Sequence, residues 1–237
     1  MLDRRIPRFA RFCKLCGVPF TGLRGWYART FKGIEPFYKN PNICNSCNIS
    51  MPLGYGTRAV ITVLFADIRG YSAWARHQPP ERLVALLNRM FEQAIDILLT
   101  HDGCIDKFMG DQIMAVFGSP IPREDHALQA VEAGLELQRA VTALATPEGE
   151  TLAIGVGIHT GEAIVGNIGS QYVKDFTAIG DTVNLAASLQ QVAASGEVLV
   201  TDATMSLLPE TWRAIDQRLV QVKGRDEPVF VHVFRAS

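Results

Sequence analysis

Two aspartates, two cysteine pairs and one polar helix face are the places where this sequence could do chemistry. Asp67 interrupts the apolar run of "VLFADIRGYS", and Asp111 sits in the turn of "KFMGDQIMAVFG". An aspartate at a strand end is most often a cap or turn former. Two of them, closing adjacent apolar strands of one sheet, could instead converge on Mg²⁺ or Mn²⁺, which share carboxylate and phosphate oxygens. Cys13-x-x-Cys16 and Cys44-x-x-Cys47 make two knuckles separated by 27 residues. Four thiolates in that pairing suit a tetrahedral Zn²⁺, with rubredoxin-type iron as the alternative, since four cysteines do not choose the metal. In "GDTVNLAASLQQV" (180–192), Asp181 is placed to cap a helix after a glycine. Asn184 and Ser188, four apart, share one helix face, while Val183, Leu185, Ala186, Leu189 and Val192 supply apolar contacts.

These groups need elements to position them. "AVITVLFADI" reads as a buried strand, and "PPERLVALLNRMFEQAIDILLTH" as an amphipathic helix behind two prolines. "CIDKFMGDQIMAVFG" reads as two short strands around a Gly-Asp turn, and "EDHALQAVEAGLELQRAVTAL" as a second helix. "LAIGVGIHTGEAIVGNIG" reads as another strand pair around a Thr-Gly turn. The helix at 180–192 follows, then strands at "EVLVT", "AIDQRLVQV" and "PVFVHVF". This β-α-β-β-α-β order, with extra strands at the end, predicts an α/β (α+β) ferredoxin-like sandwich. The sequence contains no GxGxxG after a strand, no GxxxxGK[ST], no nucleophile elbow and no HExxH, so those chemistries lack support.

The composition, 48% hydrophobic and 20% charged, is that of a soluble globular protein. No apolar run approaches the roughly 18–20 residues that span a bilayer, and "MLDRRIPRFARF" lacks the apolar core of a secretory signal. A cytoplasmic chain without a transmembrane segment is the expectation. The net charge of −1 conceals a split: residues 1–50 hold 9 Lys/Arg against 2 Asp/Glu, and the remainder holds 14 against 22. The division predicts a cysteine module at 1–50, a Pro/Gly-interrupted linker at 51–57 and a larger domain at 58–237. Fifty residues with few long apolar runs bury little core, so a structural metal would supply folding energy. Disulfides are disfavoured in the cytoplasm. Arg4, Arg5, Arg8, Arg11 and Lys14 could meet a nucleic acid or an anionic membrane surface, although a solvated basic face against the acidic domain is the simpler reading. Cys104 stands alone in an apolar segment, as a buried filler.

Four motifs, "VLFADIRGYS", "DKFMGDQIMAVFG", "GVGIHTGEAIVGNIGS" and "DFTAIGDTVNLAASLQ", resemble in order and spacing the successive motifs of class III nucleotide cyclases. The resemblance covers roughly residues 58–235. It implies a ferredoxin-like domain that pairs head to tail, as a homodimer or heterodimer, with active sites at the dimer interface. Asp67 and Asp111, helped by the Ile68 carbonyl, would hold two metal ions. The backbone around Gly70, Tyr71 and Ser72 would lie against the phosphates, and Lys223 would bind the terminal ones. Lys107 and Thr177 match the base-selecting positions. A lysine ammonium only donates, which suits adenine N1, whereas guanine N1 carries a proton. ATP is therefore the implied substrate, and 3′,5′-cyclic AMP with pyrophosphate the implied products.

Asn184 matches the ribose-orienting asparagine of the family. One turn later the family usually has an arginine that steadies charge on the reacting phosphate, and this sequence has Ser188. A short neutral side chain cannot replace a guanidinium aimed at developing charge. The resemblance thus implies either a slow adenylate cyclase, with Arg225 as a substitute cation, or a catalytically weak ATP-binding regulatory domain or heterodimer half. A zinc-dependent nucleic-acid-binding protein with a cyclase-like scaffold is the third reading. It gives no physical reason for Asp67, Lys107, Asp111, Thr177, Asn184 and Lys223 to occur together.

Overall fold

The computed structural model describes residues 11–50, 56–144, 151–170, 172 and 174–236. Arg4, Arg5 and Arg8, and linker residues 51–55, lie outside the described residues. The chain divides into two compact units, Met1–Thr57 with Ile164–Thr177, and Arg58–Ala163 with Ala178–Ser237. A hairpin from the middle of the sequence is thus grouped with the cysteine segment. Within the described residues no helix is long and apolar enough to cross a membrane.

The cysteine segment carries two helices, α1 (Gly22–Lys32) and α2 (Asn45–Ser50). The remaining elements are, in chain order, β1 (Thr57–Ile68), α3 (Tyr71–Ala75), α4 (Pro80–Thr100), β2 (Cys104–Met109), β3 (Gln112–Phe117), α5 (His126–Thr142), β4 (Ile154–Gly169), β5 (Lys174–Ile179), α6 (Asp181–Val192), β6 (Val198–Thr201), α7 (Asp202–Met205), β7 (Asp216–Val220) and β8 (Val229–Phe234). The sheet runs β2-β3-β1-β4-β6-β8-β7, with β5 paired to β4 off that path. The stretch β2-β3-β1-β4 is the ferredoxin-like order that β-α-β-β-α-β connectivity generates.

Alternation along β4 explains the layering. A Cβ added to Gly134 of α5 would touch Ile158, Val156 and Leu64, so α5 lies on the sheet face carrying those side chains. Leu86, Met90, Ala94, Ile97 and Leu98 give α4 a buried stripe, and α4 packs beside α5. Proline at the first position of α4 suits a site whose N–H has no intrahelical partner. On the opposite face, a Cβ on Gly157 would fall 2.3 Å from Gln190 N and 2.5 Å from Ala186 O. Glycine there lets α6 approach the sheet, and Leu185 and Leu189 join Leu199, Val220, Val231 and Val233 in a second core.

Three local expectations need correction. The segment 154–169 is one continuous strand, not a pair around a Thr-Gly turn. Gly161 marks a close approach instead: a Cβ there would lie 2.7 Å from Thr182 Oγ1, which donates to the Glu162 carbonyl. Asp181 is the first residue of α6, not its cap. The cap position is Gly180, without a side-chain hydrogen bond, and the Asp181 carboxylate pairs with Arg225. Val192 is exposed and Val183 only half-buried, so the apolar face of α6 is carried by Leu185, Ala186 and Leu189. Cys104 is buried, as a filler would be.

Candidate active site

The register of two strands brings the aspartates together. β1 and β3 pair antiparallel with Ala66 opposite Ile113, and β2 and β3 are joined by Gly110 and Asp111 alone. Gly110 has φ +66°, the left-handed conformation that so tight a turn demands. Two steps beyond Ala66 the chain places Ile68 against Asp111, and the Ile68 N–H donates to Asp111 Oδ2 at 3.2 Å. Asp67 is half-buried one residue before. Its Oδ2 accepts from Arg69 Nη2 at 3.3 Å and from Gln190 Nε2 at 3.2 Å, while Gln112 donates to Gln190 Oε1 at 2.8 Å. A Cβ on Gly155 would collide with the Arg69 guanidinium at 2.9 Å, so that glycine makes room for it.

Burial first, and the neighbouring Asp67 carboxylate second, push Asp111 up to about 7. Two acids this close cannot both ionise comfortably without a cation between or beside them. Hard oxygen donors under mutual repulsion fit a divalent ion such as Mg²⁺ or Mn²⁺. Burial, and then the Asp111 charge, also raise the Tyr71 phenol above its ordinary value. Gly70, at φ +76°, starts α3, where Tyr71 and Ser72 occupy the first turn. A cleft of about 230 Å³ opens there, between Ile68–Tyr71, Trp74 and the Thr151–Leu152 segment.

A second grouping forms along α6. Asn184 is exposed and Ser188 half-buried on the face that also carries Asp181. The turn after β7 runs against this face: Ser188 Oγ donates to the Lys223 carbonyl at 3.5 Å, and Arg225 pairs with Asp181. Lys223 itself is exposed, beside Gly224 at φ +82°. His159, reaching toward this region from β4, accepts or donates at Thr201 Oγ1 at 2.8 Å. Burial first, and the Arg225 charge second, hold it down to about 4, hence neutral.

Lys107 lies on β2, its ammonium 3.2 Å from Asp106 Oδ1. A register shift between Ile105 and Lys107 turns Asp106 inward, where it is 2% exposed and accepts from the Ala178 N–H at 3.3 Å. Thr177 is buried on β5, in the other compact unit. Arg69, Asp106 and Gln190 were not singled out from the sequence. The only available signal was adjacency, since two of them flank Asp67 or Lys107 within the motifs.

In the cysteine unit, Cys13, Cys16, Cys44 and Cys47 bring their sulfurs within 4.8 Å of one another. Burial raises the Cys13 thiol, but N–H groups of Cys16, Leu15 and Cys44 outweigh it and bring Cys13 down to about 7. Burial pushes Cys44 and Cys47 up.

A ferredoxin-like sheet with paired carboxylates at its strand ends defines the class of domain. Residues 55–234 match the family model described as the adenylate and guanylate cyclase catalytic domain, and the chain belongs to that class III family. It is similar to the guanylyl cyclase Cya2, with 34% identity and a TM-score of 0.72, covering 77% of this chain and 95% of that one. It is also similar to the adenylyl cyclase CyaB from P. aeruginosa, with 33% identity and a TM-score of 0.68, covering 76% and 96%. An uncharacterized protein of Mycobacterium tuberculosis is 33% identical over 181 residues, 73% of this chain. The chain spans only 32% of that relative's length.

Proposed function

We propose that the domain converts ATP to 3′,5′-cyclic AMP and pyrophosphate, at sites shared between two head-to-tail copies. Nucleotide cyclase chemistry follows from the family. The choice of ATP rests on Lys107, because similar structures include both an adenylyl and a guanylyl cyclase. Its ammonium has only donors to offer, which match adenine N1 and oppose the protonated guanine N1. The Thr177 hydroxyl accepts from the adenine amino group.

The other roles follow the chemistry of each side chain. Asp67, Asp111 and the Ile68 carbonyl hold two Mg²⁺ or Mn²⁺. Such ions, when bound, lower the pKa of the ribose 3′-hydroxyl and offset phosphate charge. Arg69 and Gln190 keep the Asp67 carboxylate aimed. Asn184 orients the ribose, Lys223 takes the terminal phosphates, and the turn at Gly70, Tyr71 and Ser72 lies along the phosphate chain. Cys13, Cys16, Cys44 and Cys47 hold a structural Zn²⁺.

The test is product formation by purified protein with Mn²⁺ and ATP, with GTP as control. Cyclic AMP is expected, and Asp67→Ala abolishes it while the protein stays folded. Turnover that survives Asp67→Ala would refute the metal assignment. Ser188 favours one second reading, a catalytically weak ATP-binding regulatory domain. ATP binding without cyclic product, in wild type and Ser188→Arg alike, would establish it.

A further inference from the structure

The cysteine unit contains more than its cysteines. Its compact unit includes Ile164–Thr177, the distal part of β4 and the first part of β5. Three contacts tie that hairpin to the N-terminal segment. Lys39 pairs with Asp175 on β5. The buried Asn167 of β4 donates to the Asn48 carbonyl at 3.4 Å. Gly56 abuts Ile164 so closely that a Cβ would lie 2.0 Å from its Cγ2. Both strands are therefore gripped, β4 at two points and β5 at one.

The gripping residues hang on the knuckles. Asn48 lies one residue after Cys47, on α2, and Lys39 lies on the segment that leads into Cys44. The two knuckles are joined by the Lys14 N–H, which donates to the Asn42 carbonyl at 2.8 Å. Cys13 Sγ is 3.8 Å from Cys47 Sγ, and Cys16 Sγ is 3.8 Å from Cys44 Sγ. The edge of a tetrahedron built on Zn–S bonds of about 2.3 Å is also about 3.8 Å. A disulfide would require about 2.05 Å. The N–H groups of Cys44 and Cys47 each point at a sulfur, Cys13 and Cys44 respectively, at 3.3 Å. Such bonds satisfy thiolates that are bound to a cation.

We propose that one Zn²⁺ on these four cysteines clamps the β4–β5 hairpin, and with it Thr177, the residue read above as meeting the base. The cysteine unit is then a metal-dependent regulator of the cyclase domain. The link to the nucleotide rests on the reading of Thr177 given above; the clamp itself does not. Without the metal, a segment with so small an apolar core has little else to hold the knuckles together. The hairpin then loses Lys39 and Asn48 as a group.

The test uses the full chain under reducing conditions. Elemental analysis should find one zinc per chain, lost in Cys16→Ser and Cys47→Ser. Hydrogen exchange, compared before and after zinc removal by a chelator, should speed up at least tenfold in peptides of the hairpin, with α5 unchanged. Lys39→Ala should keep its zinc and loosen the hairpin alone, raising the nucleotide KM more than it lowers kcat. Absence of zinc, or unchanged hairpin exchange after its removal, overturns the proposal. Failure to make any cyclic product overturns the cyclase reading and leaves the exchange result standing.

Discussion

Ser188→Arg is the perturbation on which the catalytic reading turns. The serine is half-buried and makes one weak contact, a 3.5 Å hydrogen bond to the Lys223 carbonyl. Losing a bond of that length costs no more than about 1 kcal/mol. Arginine is the better helix former by a few tenths of a kcal/mol, so the substitution leaves stability nearly unchanged. Arg225 does not already fill the position. Its guanidinium is held by Asp181 at the start of α6, seven residues before Ser188. Seven residues of helix rise about 10 Å. A guanidinium at 188 would project from the same face as Asn184, beside the turn that carries Lys223. A single preorganised donor to developing negative charge is worth about 10²–10³ in turnover, and an arginine finger about 10³–10⁵. We expect at least a tenfold rise in kcat, about 1.4 kcal/mol of barrier, with KM little changed. Initial rates of cyclic AMP formation at saturating Mn²⁺ and ATP measure it, with Ser188→Gln as the uncharged control. A folded Ser188→Arg protein that binds ATP and turns over no faster than wild type refutes the reasoning. Arg225→Ala adds a second arm. If it lowers the wild-type rate but not that of Ser188→Arg, then Arg225 swings from Asp181 to serve as the substitute.

Lys107→Glu should shift the ratio of kcat/KM for ATP over GTP at least tenfold toward GTP, because glutamate accepts from guanine N1; an unchanged ratio removes Lys107 from base selection. Glu197 offers a pH test. Its side chain is 5% exposed, and Arg218 first, against opposing burial, and then the Ala194 N–H and Arg235 lower it to about 2. A depressed acid contributes stability above its unfolded value near 4.3 and loses it as pH falls toward 2, here about 3 kcal/mol. Denaturant unfolding from pH 6 to pH 3 should show about half of this loss, since pH 3 still lies above the folded value, and Glu197→Gln should flatten it. Gly157→Ala should destabilise by about 1–3 kcal/mol, the usual cost of overpacking, because its Cβ meets α6 backbone. Gly161→Ala, whose Cβ meets the end of a side chain, should cost less by thermal unfolding.

Periodicity made most of the fold legible. Helices α4 and α5 and strands β1, β3, β6 and β8 each carry an unbroken apolar pattern, and a two-residue Gly-Asp loop admits only a tight hairpin. Glycine was the weak point. "GVGIHTG" reads as a turn because glycine permits turns, yet Gly157 and Gly161 are extended residues, small because α6 presses on them. A sequence does not distinguish a glycine needed for its φ from one needed for its lack of a Cβ. The cap failed for a related reason: Asp181 had an acceptor to offer, but Arg225, 44 positions away, took it. The grouping of 164–177 with the cysteine unit was invisible too, since it depends on a pair 136 positions apart.

Helix α6 shows why the site resists reading from motifs alone. Its outer face bears Asn184 and Ser188, the residues that a motif exposes. Its inner face bears Gln190, 1% exposed, which bonds at once to Asp67 and Gln112. One helix thus holds Asp67 from one face and the turn that carries Lys223 from the other. The polar group that matters for position is buried, and in a helix of otherwise apolar contacts it passes for a surface glutamine. Because both faces belong to one helix seated on Gly157, a displacement of α6 moves Gln190 behind Asp67 and the Asn184–Ser188 face together. A substitution at Ser188, by contrast, is confined to one side chain. The two kinds of damage are therefore separable: Gly157→Ala should weaken metal binding as well as turnover, whereas the Ser188 position should bear on turnover alone.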